Sequence, residues 1–291
     1  MRRSTFVSAL AAAVAIPNAP HADAAELAPT ARLAALEART GGRLGVHAIA
    51  TAGQKTLGHR ADERFPMCST FKFLLTAAVL ARVDTGEEHL ERTVAYGKRD
   101  LLAYAPITTA HVEQGHMTVA ALCAAAVSYS DNTAANLLLA TIGGPAGVTR
   151  FARTIGDGVT RLDRTEPALN TAIPGDPRDT TMPASATGDL ERVLLGNALS
   201  HASRVRLEGW MTACRTGVDC IRAGVPAGWR VGDKTGSGDN NTRNDIAILR
   251  PPSGGPILVA AYLTGARVSA PDRDAALAEV GRIVISALAG A

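Results

Sequence analysis

Strand patterns occur near both ends of this 291-residue chain, and helical patterns fill the sequence between them. Gly45–Ala50 and Lys55–His59 are two strand patterns around a short turn, and three more follow Trp229. From Ser69 to Trp210 the signals are mostly helical, most clearly in the apolar run Phe71–Val83. This order predicts one sheet assembled from the two chain ends, with a helical unit inserted between them.

Short loops join consecutive strands, so the sheet is expected to be antiparallel. The predicted class is α/β of the α+β type, with a five-stranded antiparallel sheet built from both chain ends, flanking helices and an inserted all-helical domain. Residues 25–65 and 213–291 are assigned to the α/β domain, and residues 66–212 to the helical domain. Pockets form preferentially between domains, so we expect the active site in the seam. The other predicted helices are Glu26–Arg39, Met117–Val127, Asn132–Thr141, Gly147–Arg153, Ala184–Leu195 and Asp272–Leu288.

One long stretch of the helical domain, residues 161–179, has no regular pattern. It is interrupted by Pro167, Pro174, Gly175 and Pro177. Long irregular segments in compact domains are usually functional. Glu166 and Asn170 lie in it four residues apart, a spacing at which a carboxylate and an amide can hold one water between them. A carboxylate oriented on water is a general base.

The first 24 residues have the three-part layout of a secretory signal peptide. Arg2-Arg3 precede an apolar run from Phe6 to Ile16, and Ala22-Asp23-Ala24 offers a cleavage site. We therefore expect an exported protein, periplasmic or secreted, by a route that the sequence leaves open. Cleavage removes two arginines and one aspartate, so the formal charge of +3 becomes +2. Such a weak charge predicts neither nucleic acid nor membrane as a partner, and we expect a monomer that acts on small molecules.

The four cysteines, Cys68, Cys123, Cys214 and Cys220, include no Cys-x-x-Cys pair and match no zinc pattern. An oxidising compartment permits disulfides. Cys214 and Cys220 are the one close pair in the sequence, so a bridge between them is our hypothesis, although a straight helix there would hold them too far apart. Cys68 and Cys123 are expected to be buried free thiols.

Lysine is rare in this chain, with four lysines against twenty-six arginines. One of the four is in Ser69-x-x-Lys72, at the start of the long apolar run. One helical turn brings Lys72 to the same face as Ser69. A buried lysine has a lowered pKa and can exchange protons near neutral pH, whereas a guanidinium cannot. Ser69 is therefore a candidate nucleophile with a possible base beside it, which indicates acyl transfer.

Two further polar motifs follow this one. Ser130-Asp131-Asn132 lies between two helical runs, and Asp131 can cap the second of them. The Ser130 hydroxyl and the Asn132 carboxamide can contact a leaving nitrogen and a substrate amide. Lys234-Thr235-Gly236-Ser237-Gly238 continues a strand into glycines, which let a substrate lie along the strand edge. Either tripeptide, Ser-Asp-Asn or Lys-Thr-Gly, is expected by chance well below once in a chain of average composition.

Ser-x-x-Lys, Ser-Asp-Asn and Lys-Thr-Gly in this order are the signature of class A β-lactamases and penicillin-binding proteins. From about Glu26 to its C-terminus the chain resembles a class A serine β-lactamase. Arg164-Thr165-Glu166-Pro167-x-x-Asn170 matches the Ω-loop of that family, which is residues 161–179 here. Asp179 matches the acid that pairs with Arg164, and we expect a bidentate contact between them. Arg243 matches the arginine that binds the substrate carboxylate.

The resemblance implies a role for each matched residue in acylation. Ser69 attacks the lactam carbonyl, and the backbone N–H groups of Ser69 and Ser237 form the oxyanion hole. Either Lys72, or Glu166 acting through a water, takes the serine proton. Ser130 then passes a proton to the lactam nitrogen.

It also implies how the substrate is bound and released. Asn132 binds the acylamino side chain, and Glu166 with Asn170 delivers the water that hydrolyses the acyl-enzyme. The substrate carboxylate is held by Lys234, Thr235, Ser237 and Arg243. Neither a metal nor an organic cofactor is implied.

Two other functions share parts of this pattern. A D,D-peptidase that acts on cell-wall peptides has the same three motifs, but the Glu166 loop of this chain argues against that function. A β-lactam sensor that stays acylated is the second, and the missing signalling segment or membrane anchor argues against that.

Two cysteines lack the partners that they have in other members of the family. Thr76 stands where many family members have the cysteine that pairs with Cys123, and Gly236-Ser237-Gly238-Asp239 offers no partner for Cys68.

Overall fold

The computed structural model describes residues 27–289, so the predicted signal peptide, residues 1–24, lies outside the described residues. The helices of this part of the chain are α1 Pro29–Thr40, α2 Phe71–Asp84, α3 Pro106–Ala110, α4 Val119–Ser128, α5 Asn132–Thr141, α6 Pro145–Thr154, α7 Pro183–Leu194, α8 His201–Thr212 and α9 Ala270–Leu288. Its strands are β1 Arg43–Ala50, β2 Lys55–His59, β3 Phe65–Pro66, β4 Thr93–Ala95, β5 His116–Thr118, β6 Thr180–Thr181, β7 Arg230–Gly238, β8 Thr242–Arg250 and β9 Ile257–Thr264.

Five of these strands form one antiparallel sheet in the order β2-β1-β9-β8-β7. The first two come from the N-terminal end and the other three from the C-terminal end. The ladder between β1 and β9 runs from Arg43 opposite Thr264 to Ala50 opposite Ile257. The predicted sheet, antiparallel and built from both chain ends, is therefore confirmed.

Side chains of the central strands alternate between two apolar cores, as the two-residue period of a strand requires. Ile246 and Ile248 of β8 belong to the core that contains α2. Ala247 and Leu249 belong to the other core, together with Val280 of α9. The sheet thus has helices packed on both faces, as the sequence predicts.

Helix α2 passes through the middle of the helical part and carries Lys72. All ten residues from Phe71 to Leu80 are buried, so the helix is surrounded on every side by protein. A single 3₁₀ turn, Cys68–Thr70, leads into it. The nucleophile candidate Ser69 therefore stands at the entrance of one of the most buried helices of the described chain.

The Ω-loop contains one 3₁₀ turn, Ala168–Thr171, and is otherwise irregular. Arg164 Nε donates to Asp179 Oδ2 at 2.6 Å, and Asp179 Oδ1 accepts the backbone N–H groups of Asp163 and Arg164. Arg164 Nη1 donates instead to Thr171. The expected pairing is present, but the expected bidentate geometry was wrong because backbone groups occupy the second carboxylate oxygen.

Several short elements had no counterpart in the sequence prediction. Helix α3 and the two-stranded pairs β3–β6 and β4–β5 span two to five residues per element, too few for a periodic pattern to show. Strand β7 also extends to Gly238, so Lys234-Thr235-Gly236 lies inside the strand.

The hypothesis of a Cys214–Cys220 disulfide was wrong, because all four cysteines are free and buried. Helix α8 ends at Thr212, and an irregular segment separates the two cysteines. Cys214 Sγ lies 3.4 Å from Thr216 Oγ1, whereas Cys220 Sγ lies 3.3 Å from Asp274 Oδ1. Different neighbours therefore hold the two sulfur atoms.

Between residues 27 and 289 no helix has both the length and the apolar character that crossing a bilayer demands. The domain boundaries assigned from the sequence stay a prediction.

Candidate active site

A cleft of about 510 Å³ lies where the helical part of the chain meets β7 and β8. Seven of the ten residues predicted for the site line it. The lining consists of Ser69, Tyr104, Ser130, Asn132, Asn170, Arg215, Thr216, Thr235, Ser237 and Arg243. The remaining predicted residues, Lys72, Glu166 and Lys234, are buried behind this wall and contact it through hydrogen bonds.

The turn that carries Ser69 lies against β7 at backbone distance. A Cβ atom on Gly236 would be only 2.6 Å from the Met67 carbonyl oxygen and 3.2 Å from the Ser69 nitrogen, so the close approach requires glycine. Asn244 of β8 donates from Nδ2 to the same Met67 oxygen at 3.1 Å. These contacts bring the Ser69 N–H close to the strand that carries Ser237, as a two-donor oxyanion hole requires.

Lys72 is fully buried and shares Glu166 with the serine. Its ammonium donates to Asn132 Oδ1 at 2.6 Å and to the Ser130 carbonyl at 2.8 Å, and it lies 3.0 Å from Glu166 Oε1. The Ser69 hydroxyl donates to that same Glu166 oxygen at 3.2 Å. One carboxylate oxygen therefore contacts both the nucleophile candidate and the buried lysine.

Ser130 receives hydrogen bonds from two lysines. Lys234 Nζ donates to Ser130 Oγ at 3.0 Å, and Lys72 Nζ approaches the same oxygen at 3.5 Å. Ser130 also has a left-handed backbone, with φ of 59°, which is uncommon for a residue other than glycine. A hydroxyl that accepts hydrogen bonds from ammonium groups is well placed to pass on a proton. Strained backbone conformations of this kind cluster at functional sites.

Glu166 is oriented by amides on two sides. Asn170 Nδ2 donates to Glu166 Oε2, which leaves Oε1 for Ser69 and Lys72. Asn136 on α5 accepts the backbone N–H of Glu166 at 3.0 Å and donates to its carbonyl oxygen at 2.9 Å. Both the backbone and the carboxylate of Glu166 are thus fixed, although the residue lies in an irregular loop.

The guanidinium of Arg243 reaches the cleft from β8. It pairs with Asp274 at 2.5 Å and donates to Ser237 Oγ at 2.9 Å and to the Thr216 carbonyl at 2.9 Å. Thr235 Oγ1 lies 2.6 Å from Thr216 Oγ1. Hydroxyls and positive charge therefore converge at the β7 side of the cleft, an arrangement that suits a carboxylate ligand.

The sequence model of the β-lactamase enzyme family matches residues 28–288. β-Lactamase CTX-M-8 of Citrobacter amalonaticus is 51% identical over 253 residues, which cover 87% of each chain. β-Lactamase L2 of Stenotrophomonas maltophilia is 50% identical over 262 residues, which cover 90% of this chain and 86% of that one.

Solved structures agree with these sequence relatives. The class A β-lactamase of the last common ancestor of Gram-negative bacteria (GNCA4) has a TM-score of 0.88 at 60% identity, and the match covers 90% of this chain and 99% of that one. The chain belongs to the class A β-lactamases. A putative class A enzyme of this family, PenP from Rhodopseudomonas palustris, matches with a TM-score of 0.87 and 55% identity over 89% of this chain and 99% of that one. The predicted family, fold and enzyme class of this β-lactamase are confirmed.

Burial sets the protonation behaviour of the two lysines in this β-lactamase. Desolvation lowers the pKa of Lys72, although the neighbouring Glu166 carboxylate acts in the opposite direction. Desolvation also lowers the pKa of Lys234, to about 8. Burial raises the pKa of the Cys68 thiol, so this cysteine next to Ser69 is held as an unreactive thiol.

Five residues of the β-lactamase site were missed by sequence reasoning: Asn136, Tyr104, Arg215, Thr216 and Asp274. Asn136, which holds Glu166, follows Asn132 by one helical turn, and that spacing is the signal that could have found it. Tyr104 lines the cleft with about half of its surface exposed, and its carbonyl accepts the N–H of Asn132. Asp274, the partner of Arg243, is far away in the sequence, so no local pattern indicates it.

Proposed function

We propose that Ser69 attacks the carbonyl carbon of the β-lactam ring and forms an acyl-enzyme. The hydroxyl needs a base, and Glu166 Oε1 accepts its hydrogen bond directly at 3.2 Å, with Lys72 on the other side of that oxygen. This contact favours Glu166 as the first proton acceptor, with Lys72 stabilising the carboxylate. The backbone N–H groups of Ser69 and Ser237 stabilise the oxyanion.

The leaving nitrogen takes its proton from Ser130. When the C–N bond of the lactam breaks, the nitrogen keeps the electron pair and must be protonated. Ser130 Oγ lies 3.0 Å from the Lys234 ammonium and 3.5 Å from that of Lys72, so Lys72 can replace the proton that Ser130 gives up. Lys72 then recovers a proton from Glu166, 3.0 Å away, which returns Glu166 to the carboxylate that deacylation needs. Both lysines have lowered pKa values, which makes this exchange easier near neutral pH.

Deacylation uses the loop side of the site. Glu166 takes a proton from a water, which attacks the ester carbonyl and releases Ser69. Asn170 orients the Glu166 carboxylate through Nδ2 and, over residues 27–289, its Oδ1 accepts no hydrogen bond, so it can accept one from that water. This step makes the protein a hydrolase and distinguishes it from a sensor that remains acylated.

Substrate binding divides between the two sides of the cleft. The carboxylate of a penicillin or cephalosporin is held by Lys234, Thr235, Ser237 and Arg243. Asn132 Oδ1 is already occupied by Lys72, so its Nδ2 remains to donate to the acylamino carbonyl of the substrate.

The observation that carries the proposal is the shared contact of Ser69, Lys72 and Glu166 in a buried position. Its test is Ser69→Ala, which should abolish hydrolysis of a chromogenic cephalosporin, a loss of at least about 10³-fold. Intact-protein mass spectrometry with penicillin should show an adduct on the wild type alone. An adduct on Ser69→Ala places the nucleophile elsewhere, and an adduct on the wild type without multiple turnovers identifies a sensor.

We propose in addition that the mature enzyme is an exported monomer. Support comes from the signal pattern in residues 1–24 and from the near-neutral charge that remains without it. The intact mass of the exported protein should correspond to a chain that begins at Ala25, and light scattering should give the mass of one chain. A full-length mass or a dimer contradicts one part of this proposal without affecting the chemistry.

A further inference from the structure

A second cavity, of about 390 Å³, lies beneath the Ω-loop and shares no lining residue with the active-site cleft. One wall is the loop itself, from Arg164 to Arg178. The opposite wall comes from the start of β1 at Arg43 with the turn before it, from Asn240 in the turn between β7 and β8, and from the end of β9 at Thr264. Its volume lies within the range of pockets that bind small organic molecules.

The charge of this cavity is predominantly positive. Four arginines line it, Arg43, Arg64, Arg164 and Arg178, against a single acidic side chain, Asp176. Three of the arginines are paired with carboxylates: Arg164 with Asp179, Arg178 with Asp176, and Arg43 with Glu63. Arg64 is the exception.

Arg64 contacts only neutral oxygens among the described residues. Its Nη1 donates to the Val159 carbonyl at 3.1 Å and to Thr180 Oγ1 at 3.0 Å. Its Nε and Nη2 make no hydrogen bond to residues 27–289, and both nitrogens are accessible to solvent. A guanidinium has five donors in a planar fork that fits a carboxylate, so most of the binding capacity of Arg64 is unused.

The cavity also has an apolar side. Leu169 and Ala172 are buried there, and Ile173, with 51% of its surface exposed, lies on the rim. Inorganic phosphate would contact the arginines but leave this apolar surface uncovered. An organic anion contacts both, because its carbon frame can cover the apolar side while its charges reach the arginines.

We propose that the cavity beneath the Ω-loop is a second binding site, for a small organic dicarboxylate. One carboxylate pairs with Arg64, and the other lies at the rim near Arg178. The site is separate from the subsite that holds the substrate carboxylate, which is formed by β7 and β8 on the other side of the loop.

The first experiment measures the binding of isophthalate, a rigid aromatic dicarboxylate, by titration calorimetry. Isophthalamide, which has the same shape without charge, and inorganic phosphate serve as comparison ligands. We expect binding of isophthalate, weaker binding of phosphate and no binding of isophthalamide. No binding of isophthalate at millimolar concentration overturns the proposal, and equal binding of phosphate overturns the choice of an organic ligand.

Substitutions with opposite expected effects on isophthalate binding locate the site. Arg64→Gln should weaken isophthalate binding about tenfold. Asp176→Asn, which removes the one negative charge of the lining, should tighten it roughly threefold. Arg161→Gln is the matched control, because Arg161 is an exposed arginine of the same loop that pairs with Asp163 and does not line the cavity. It should change nothing.

Arg64→Gln also removes structural hydrogen bonds, so Arg178→Gln, at the exposed rim, is the second weakening variant. Hydrogen exchange gives an independent location, since isophthalate should slow exchange in residues 172–178 and leave residues 234–243 unchanged. Slower exchange in 234–243 places the ligand in the active-site cleft, and binding that neither Arg178→Gln nor Asp176→Asn alters places it outside this cavity. Either result overturns the proposal.

Discussion

Ser69 and Glu166 meet at 3.2 Å, but they come from regions that are held in place in different ways. Ser69 stands at the entrance of α2, whose first ten residues are all buried, and β7 presses against its turn. Glu166 lies in a loop that is irregular apart from one 3₁₀ turn, and its position depends on a few polar contacts, chiefly with Asn136, Asn170 and the Arg164–Asp179 pair. Apolar packing distributes its stabilisation over many atoms. A residue that is held by a few polar contacts, in contrast, loses much of its positioning when one of those contacts is removed.

The two regions also carry different steps in the proposed mechanism. The α2 and β7 side carries the nucleophile and the groups that hold the substrate, and the loop side carries the base on which hydrolysis of the acyl-enzyme depends. Changes in the loop are therefore expected to slow deacylation more than acylation, and changes in the buried side are expected to slow acylation without trapping the intermediate. Four substitutions test this division, from the largest expected effect to the smallest.

Glu166→Gln removes the base but keeps a side chain of the same size. Turnover of a penicillin should fall by about 10²- to 10⁴-fold, the usual contribution of a general base, and acyl-enzyme should accumulate. Rapid-quench mass spectrometry measures both rates. Acylation should fall less than deacylation, because Lys72 remains beside Ser69 as a second possible base, whereas among the described residues no other carboxylate of the cleft is placed to activate the water. Equal losses in the two steps would falsify the functional division.

Asp179→Asn opens the neck of the loop. The Asp179 carboxylate is buried, so breaking its pair with Arg164 should cost about 3 kcal/mol of unfolding free energy. Penicillin turnover should fall because Glu166 is misplaced, while a bulky cephalosporin should be affected less because a looser loop widens the site.

Thermal melting and paired kinetics on the two substrates measure these effects. Asp176→Asn is the control, since the Arg178–Asp176 pair lies in the same loop with the arginine about half exposed. It should leave the melting temperature unchanged. Unchanged melting and turnover in Asp179→Asn contradict a clamp at the neck.

The pH dependence of activity tests the buried side of the site through Lys234. Its pKa is lowered to about 8, so the ammonium is present below this pH and is lost as the pH rises through it. The value of kcat/KM for a penicillin, which reports the free enzyme, should fall by up to about tenfold from pH 7 to pH 9. Lys234→Arg keeps its charge over this range and should lack this alkaline decline. A wild-type profile that Lys234→Arg reproduces assigns the decline to another group.

Asn244→Ala loosens the turn that carries Ser69. Asn244 Nδ2 donates to the carbonyl oxygens of Pro66 at 2.8 Å and of Met67 at 3.1 Å, so its loss should cost about 1–3 kcal/mol of stability. The acylation rate should fall by about tenfold or less, which corresponds to about 1.4 kcal/mol. Single-turnover kinetics should show no accumulation of acyl-enzyme, and accumulation would mean that this side also controls deacylation.

The sequence by itself determined most of the long elements of this β-lactamase, α8 excepted, and the local chemistry of its motifs. The apolar run Phe71–Val83 predicted α2 to within a residue, because helical spacing is a local property. The same spacing placed Lys72 one turn after Ser69. Strand patterns at both ends and short connections predicted the antiparallel sheet, since these signals also need only neighbouring residues.

Only the tertiary structure decided which distant groups touch. Lys234 meets Ser130 across 104 positions of sequence, and Ser69 meets Glu166 across 97. The single bond from Arg164 to Asp179, the free thiols of Cys214 and Cys220, and the Asp274 partner of Arg243 were likewise not predicted from the sequence. Sequence periodicity specifies which face of an element is buried, but the distance between two faces depends on how the whole core packs, and every side chain in that core contributes to it.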